Sequence, residues 1–253
     1  MPGRPEPAHP YLDHAGVLAF AHRGGTSHFP ENTIEAFDHA VSLGYRYLET
    51  DVHLSADGVL VAFHDPDLSR TCDRSGRISD MTWSEIAQAR VGGVAAIPRL
   101  DELLSAFPES RFNIDCKSDD AVEPLAAALR AAKCLDRVCI GSFSGRRLRR
   151  LRSEFGADLC TSCSPGEVTS LVMGRVPSGV EAAQVPMRQG PIPVVTRSFV
   201  ERAHRGGLQV HVWTIDEPTD MTRLLDLGVD GIMTDACTVL RDVLIARGQW
   251  TTL

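Results

Sequence analysis

Two short runs of the chain carry charged residues where a buried strand ordinarily has valine and isoleucine. In Tyr47-Leu48-Glu49-Thr50-Asp51-Val52-His53, alternation along an extended strand puts Glu49, Asp51 and His53 on one face and Leu48, Thr50 and Val52 on the other. Asn113-Ile114-Asp115-Cys116-Lys117 repeats the pattern, with Asn113, Asp115 and Lys117 sharing a face. Parallel strands covered on both sides are normally apolar throughout, so these polar residues point to chemistry. Glu49, Asp51 and Asp115 offer hard carboxylate oxygens, a donor set suited to Mg²⁺ or Ca²⁺ and not to a soft metal. His22 and His64 each close a short apolar run. As a pair they supply what phosphoester chemistry near neutral pH requires, one group to take a proton and another to give one. Arg23 and Lys117 add fixed positive charge for an anionic oxygen. The glycines of His22-Arg23-Gly24-Gly25 suit either a tight turn or a backbone that approaches a ligand closely.

These side chains need a scaffold that gathers strand ends. After a Pro-rich lead-in at 1–14, short β-like runs alternate with helical runs, uninterrupted by repeats or low-complexity linkers, which predicts βα units around a parallel sheet. Strands are predicted at 17–21, 45–53, 59–64, 111–117, 138–143, 158–162, 182–186, 209–214 and 231–234. Helices are predicted at 32–43, 83–90, 100–106, 120–133, 145–155, 165–174, 197–206, 217–227 and 237–247. The first helix has start chemistry in Asn32, placed to cap the amide of Glu35 while Glu35 reaches back. The second and third strands are joined only by Leu54-Ser55-Ala56-Asp57-Gly58, which leaves no room for a crossover helix and contains an Asp-Gly turn signal. They therefore form an antiparallel hairpin, and folding it midway between residues 56 and 57 sets Glu49 opposite His64. The remaining eight strands predict an α/β chain of the (β/α)8 TIM-barrel class. A single domain over 1–253 is expected, with a small insertion after the second strand. That excursion, about 65–107, stands in place of the second barrel helix. In such a barrel, charged residues near strand C-termini are where catalytic groups sit.

Composition narrows the partners. The 253 residues hold 26 Lys+Arg against 33 Asp+Glu, a formal charge of −7 that disfavours a nucleic-acid surface. A 43% hydrophobic content with 23% charged residues excludes a disordered or collagenous chain. Seven scattered cysteines, an odd number, suggest a reducing compartment, and the lone Cys160-x-x-Cys163 lacks the second pair that a zinc site needs. No apolar run is long enough for a membrane span and the first residues do not resemble a secretory leader, so a cytoplasmic protein is expected. Whether it acts as a monomer or homodimer is left open. The basic block Arg146-Arg147-Leu148-Arg149-Arg150-Leu151-Arg152 is expected to form the solvated face of a barrel helix, with acidic lipid head groups as the alternative partner.

Several motifs, in order along the chain, resemble the glycerophosphodiester phosphodiesterase family: His22-Arg23-Gly24, Pro30-Glu31-Asn32-Thr33, Glu49-x-Asp51, His64-Asp65, Asp115-x-Lys117, Trp213-Thr214 and Gly228-Val229-Asp230-Gly231-Ile232-Met233-Thr234-Asp235. Ser69-Arg70-Thr71 and Ile97-Pro98-Arg99-Leu100 are weaker landmarks of the same likeness. The resemblance runs from about 17 to 240. It implies a (β/α)8 barrel, a divalent cation, and hydrolysis of small-molecule glycerophosphodiesters to sn-glycerol 3-phosphate and an alcohol. By that resemblance His22 and His64 are the general acid/base pair, and Glu49 and Asp51 are metal ligands. Arg23 and Lys117 match phosphate-binding positions, and Trp213 the aromatic against the glycerol moiety. The family usually has glutamate where this chain has Asp115, an arm shorter by roughly 1.5 Å, so the metal sits closer to that strand or a water intervenes. Two other readings compete: a phospholipase D-like lyase that forms cyclic phosphate from lysophospholipids, and a catalytically silent phosphate-binding barrel. With a divalent ion among three carboxylates and two cationic side chains, the pocket of this acidic chain becomes weakly positive.

Overall fold

The computed structural model describes residues 7–251. In chain order the strands are β1 (Leu18–Ala21), β2 (Tyr47–Leu54), β3 (Leu60–Ala62), β4 (Arg90–Val91), β5 (Ala95–Ala96), β6 (Arg111–Cys116), β7 (Val138–Gly141), β8 (Cys160–Thr161), β9 (Ala182–Pro186), β10 (Arg188–Gln189), β11 (Ile192–Pro193), β12 (Gln209–Trp213) and β13 (Gly231–Thr234). The α-helices are α1 (Ile34–Ser42), α2 (Trp83–Ile86), α3 (Leu100–Ala106), α4 (Val122–Ala132), α5 (Gly145–Phe155), α6 (Pro165–Val172), α7 (Arg197–Arg205), α8 (Pro218–Leu227) and α9 (Cys237–Ala246). Eight strands run parallel in the order β1, β2, β6, β7, β8, β9, β12, β13, and β13 pairs again with β1. Between β8 and β9 the ring closes through a parallel bridge of Ser162 with Ala182, including Cys163 N to Ala182 O at 2.8 Å. The (β/α)8 barrel is thus present, and β3 is the antiparallel extra strand on β2.

The pleat sorts side chains between two compartments. Outward residues such as Ala19, Leu48, Ile114 and Val212 join the large core between strands and helices, while Leu18, Phe20, Tyr47, Cys139, Cys160 and Met233 fill the barrel interior. Cys160 and Cys163 fall in different compartments, and all seven cysteines are free thiols, so C-x-x-C is a product of packing here. The lead-in has a structural role: Tyr11 and Leu12 plug the N-terminal end of the barrel, where Tyr47 Oη and Arg111 Nη1 donate to Tyr11 O at 2.9 and 2.8 Å. On the outer surface of α5, Arg146 and Arg147 share Asp119, Arg150 pairs with Glu123, and Arg152 with Glu167. These pairs neutralise much of the basic block, and the expected solvated face holds for Arg146 and Arg150 but not for Arg147 and Arg152, which are largely covered.

Two local expectations are corrected. The hairpin pairs Val52 with Ala62, His53 with Val61 and Leu54 with Leu60, one residue out of the expected register, so Glu49 is not opposite His64. Gly58 adopts φ +84 and joins Ala56 and Asp57 in a three-residue loop centred on Asp57, where a fold centred between residues 56 and 57 had been expected. Helix α1 is capped by Thr33, whose side chain accepts from Ala36 N, and not by Asn32. In addition, the 65–107 stretch contains the second barrel helix instead of replacing it: Leu100, Leu103 and Leu104 of α3 join the main core, while the excursion before it packs its own cluster around Leu68, Ile78, Ile86 and Ile97.

Tyr11 Oη is buried without a hydrogen-bond partner. Tyr11→Phe, which removes only that hydroxyl, is expected to leave stability unchanged or raise it by up to about 1 kcal/mol. Tyr11→Ala should cost roughly 3–5 kcal/mol through the cavity left in the barrel floor. Urea unfolding of the two variants measures both.

Candidate active site

The C-terminal ends of β1, β2 and β6 meet on one side of the barrel mouth, and Trp213 ends β12 diametrically across from β6. His22, Arg23, Glu49, Asp51, His64, Asp115, Lys117 and Trp213 all line one cavity of about 760 Å³. Register explains the convergence. Glu49 and Asp51 are inward positions of β2 paired with Asn113 and Asp115 of β6, so four polar side chains enter the lumen in two layers. Below the mouth Gln184 Nε2 donates to Asn113 Oδ1 at 2.7 Å, which satisfies the Asn113 half of the lower polar layer.

Burying Glu49 and Asp51 two residues apart is costly unless cations or donors face them. Asp51 is well supplied: Lys117 Nζ lies 2.8 Å from Oδ1, Arg23 Nε 3.3 Å from Oδ2, and Asn32 Nδ2 donates to Oδ2 at 3.1 Å. Burial would raise its pKa, but Lys117 and Arg23 outweigh burial and hold Asp51 below the usual carboxylate value. Lys117 shows the reciprocal effect, since burial opposes its charge while Asp51 and Asp115 more than restore it and raise its pKa. Glu49 has less help. Its Oε2 accepts from the Arg23 backbone N at 3.0 Å and lies 3.9 Å from His22 Nε2. Burial, reinforced by the charge of Asp51, pushes the Glu49 carboxyl up to about 7.

The two histidines are held alike. His22 Nδ1 hydrogen-bonds Asp235 Oδ1 at 2.9 Å, and His64 Nδ1 hydrogen-bonds Asp65 Oδ1 at 2.5 Å. An ionised carboxylate only accepts, so Nδ1 carries the proton and the lone pair of each neutral imidazole is on Nε2. Burial alone would lower the His22 pKa, but Glu49 and Asp235 overcome it and raise the value above that of an ordinary histidine. Asp235 is steadied in turn by Asp216, whose Oδ1 accepts from Thr234 Oγ1 and Asp235 N at 2.9 and 2.8 Å.

Backbone geometry aims Arg23. It has φ +52, a left-handed conformation uncommon for a side chain of that size, and such strain recurs at functional sites. In that conformation its N–H reaches Glu49 and its carbonyl accepts from Asn32 N at 2.8 Å. Gly24 and Gly25 serve packing more than ligand approach: a Cβ on Gly24 would stand 2.7 Å from Ala36 Cβ, and one on Gly25 2.5 Å from Cys237 Sγ.

Every site residue expected from the sequence therefore reaches the cavity, and several partners were missed. Asn32, taken for a helix cap, instead ties the segment before α1 to β2 by donating to Asp51 and accepting from Thr50 Oγ1 at 2.8 Å. Asp65 was visible only as the neighbour of His64. Asp235 ends the Gly228–Asp235 motif of the family likeness, but nothing local pairs it with His22, 213 positions away.

Among the described residues, no group of three or more His, Cys, Asp or Glu side chains is gathered tightly enough to hold a metal ion. Lys117 Nζ stands between Asp51 and Asp115, 2.6 Å from Asp115 Oδ2. The donor set nevertheless fits a hard divalent cation. Asp115 Oδ1 is buried with no hydrogen-bond partner, and Glu49 is undercompensated. Both are signs of a site short of positive charge.

Residues 22–239 match the model of the glycerophosphoryl diester phosphodiesterase family. The chain is 41% identical to "Probable glycerophosphodiester phosphodiesterase 2" of Mycobacterium tuberculosis, over 95% of each chain. It is 26% identical to a lysophospholipase D of Rattus norvegicus, over 88% of this chain and 85% of the relative. Among solved structures, the glycerophosphodiester phosphodiesterase of Agrobacterium tumefaciens superposes with a TM-score of 0.76 at 27% identity, covering 88% of this chain and 99% of its own.

Glu49 makes a prediction about stability. With its folded pKa raised, ionisation opposes folding, so the stability that the protonated form retains is lost as pH rises from the unfolded value toward about 7. In protein kept with a chelator, Glu49→Gln is expected to unfold at a higher temperature than the parent at pH 8 and at nearly the same temperature at pH 4.5. Equal midpoints at pH 8 would contradict the undercompensated charge.

Proposed function

The chain belongs to the glycerophosphoryl diester phosphodiesterase family and is an enzyme of that activity, and we propose that it works by paired-histidine acid–base catalysis with a divalent cation. The observation that carries this reading is the pair of imidazoles on one cavity, each fixed through Nδ1 by an aspartate so that Nε2 is the reactive nitrogen. Products are sn-glycerol 3-phosphate and an alcohol. His22, whose pKa is raised by Glu49 and Asp235 against the effect of burial, takes the proton of the glycerol 2-hydroxyl as that oxygen attacks phosphorus. His64 protonates the departing alcohol oxygen as its bond to phosphorus breaks. Water then opens the cyclic phosphate with the two roles exchanged. Arg23 and Lys117 hold non-bridging phosphate oxygens, and Trp213, edge-on to Phe143 at 6.0 Å, gives the glycerol an apolar wall. Glu49, Asp51 and Asp115 would hold Mg²⁺ or Ca²⁺, which offsets negative charge developing on the phosphate. The free thiols support action in a reducing cytoplasm, and no described helix is long and apolar enough to cross a membrane.

A second reading is favoured by the other half of the cavity. Phe143, Val168, Val172, Met173, Ile192 and Val194 form an apolar wall, of which Phe143, Val172, Met173 and Ile192 are exposed at the rim. Such a wall suits an acyl chain, and so a lysophospholipid cleaved as the rat relative's name describes, or released as a cyclic phosphate. The silent-barrel reading is disfavoured, because both imidazoles keep their aspartates and all three carboxylates reach the cavity.

Release of glycerol 3-phosphate from several head-group diesters, followed with chelator and with Mg²⁺, Ca²⁺ or Mn²⁺ restored, tests the main reading. Activity is expected only with metal. His22→Ala and His64→Ala should each lower turnover by about 10²-fold or more. Near-parental turnover in either folded variant overturns the acid–base assignment. Phosphorus NMR separates the readings, since accumulating cyclic phosphate without glycerol 3-phosphate identifies the lyase.

A further inference from the structure

Arg70 lies in the excursion after β3, outside the cavity lining, yet its guanidinium joins the supports of two site residues. Nε donates to Asp65 Oδ2, while Nη2 and Nη1 donate to Glu31 Oε1 and Oε2 at 2.6 and 3.1 Å. The other oxygen of Asp65 holds His64 Nδ1, and Glu31 Oε1 also accepts from Arg23 Nη1 at 3.1 Å. A continuous path, His64, Asp65, Arg70, Glu31, Arg23, therefore links the end of β3 to the turn after β1.

We propose that Arg70 is a positioning residue whose planar guanidinium locks Asp65 and Glu31 together and so holds His64 and Arg23 at a set spacing for the phosphodiester. Asp65 and Glu31 contact one guanidinium, so they are close like charges that repel without it, and each swings its partner when it moves. A lysine would not replace this arrangement, because one ammonium lacks the fork that engages one carboxylate through Nε and the other through both terminal nitrogens. An isolated surface ion pair counts for little, but this is a network: Arg70 is 48% exposed, whereas the side chains of Asp65 and Glu31 are 21% and 14% exposed. Burial would raise the Asp65 pKa, yet the hydrogen bonds from Arg70 and His64 prevail and hold it at about 2, so Asp65 stays ionised and accepting across the working pH range.

The proposal rests on the reading of His64 as an acid/base group and Arg23 as a phosphate binder, and the test separates the two. Glycerol 3-phosphate release is measured for the parent, Arg70→Ala, Arg70→Lys, His64→Ala and His64→Ala/Arg70→Ala, with thermal unfolding of each. Arg70→Ala is expected to lower kcat by about 10-fold or more, with an unfolding midpoint close to the parent's. Arg70→Lys should recover little of the loss, and millimolar guanidinium added to Arg70→Ala should restore activity several-fold. In the His64→Ala background the same substitution should lower kcat by clearly less than in the parent, since only the Arg23 arm is left to lose and residues acting as one unit are not additive. A parental kcat in Arg70→Ala, or equal losses in both backgrounds, overturns the proposal. Near-parental turnover in His64→Ala overturns the reading of His64, and the role of Arg70 falls with it.

Discussion

Two carboxylates buried at the mouth of a barrel, Glu49 and Asp51 on alternate positions of β2, set the terms for everything around them. A charge removed from water must be met by cations or donors, and no single neighbour suffices for both. The response draws on three parts of the chain. The end of β6 contributes Lys117, the start of α1 contributes Asn32, and the turn after β1 contributes twice, through His22 and through the Arg23 backbone and guanidinium. The left-handed backbone at Arg23 is part of the same response, because that conformation lets one residue place its N–H on Glu49 and its side chain on Asp51.

Compensation remains incomplete. Asp51 is held below its ordinary pKa while Glu49 is driven up to about 7, so two carboxylates of one strand are pushed apart by unequal access to cations. A site with an orphaned Asp115 oxygen and an undercharged Glu49 favours a hard cation or an additional proton. The aspartates behind His22 and His64 belong to a different layer of organisation. They set the proton positions on the imidazoles without entering the cavity lining, and come from segments that the barrel closure and the excursion bring near.

Much of this was legible in the chain. Alternation in 47–53 and 113–117 marks which residues face the lumen, because a strand's period of two survives any barrel geometry. The eight-strand count, the hairpin and the convergence of His22, His64, Glu49, Asp51, Asp115, Lys117 and Trp213 follow from pattern and from family likeness. Errors arose where neighbouring chemistry competed. Asn32 has the side chain of a good cap, yet a buried carboxylate 19 positions along the chain is the stronger partner, and Thr33 takes the cap instead. The hairpin is one residue out of the expected register because Gly58, at a left-handed φ, belongs to a three-residue loop that moves the centre of the fold onto Asp57.

Sequence alone determined the fold class, the residue types at the site and the faces that carry them, since these depend on local period and on covalent order. Only the tertiary structure decided which partner each group meets. Asp235 reaches His22 across 213 positions, Arg70 joins Asp65 to Glu31, and Lys117 divides its charge between Asp51 and Asp115. Such pairings depend on distances of a few ångströms between segments far apart in the chain, and the strengths of buried charges vary with those distances and with exclusion of water. A sequence can supply the charges, but closure of the barrel determines which of them share a cavity.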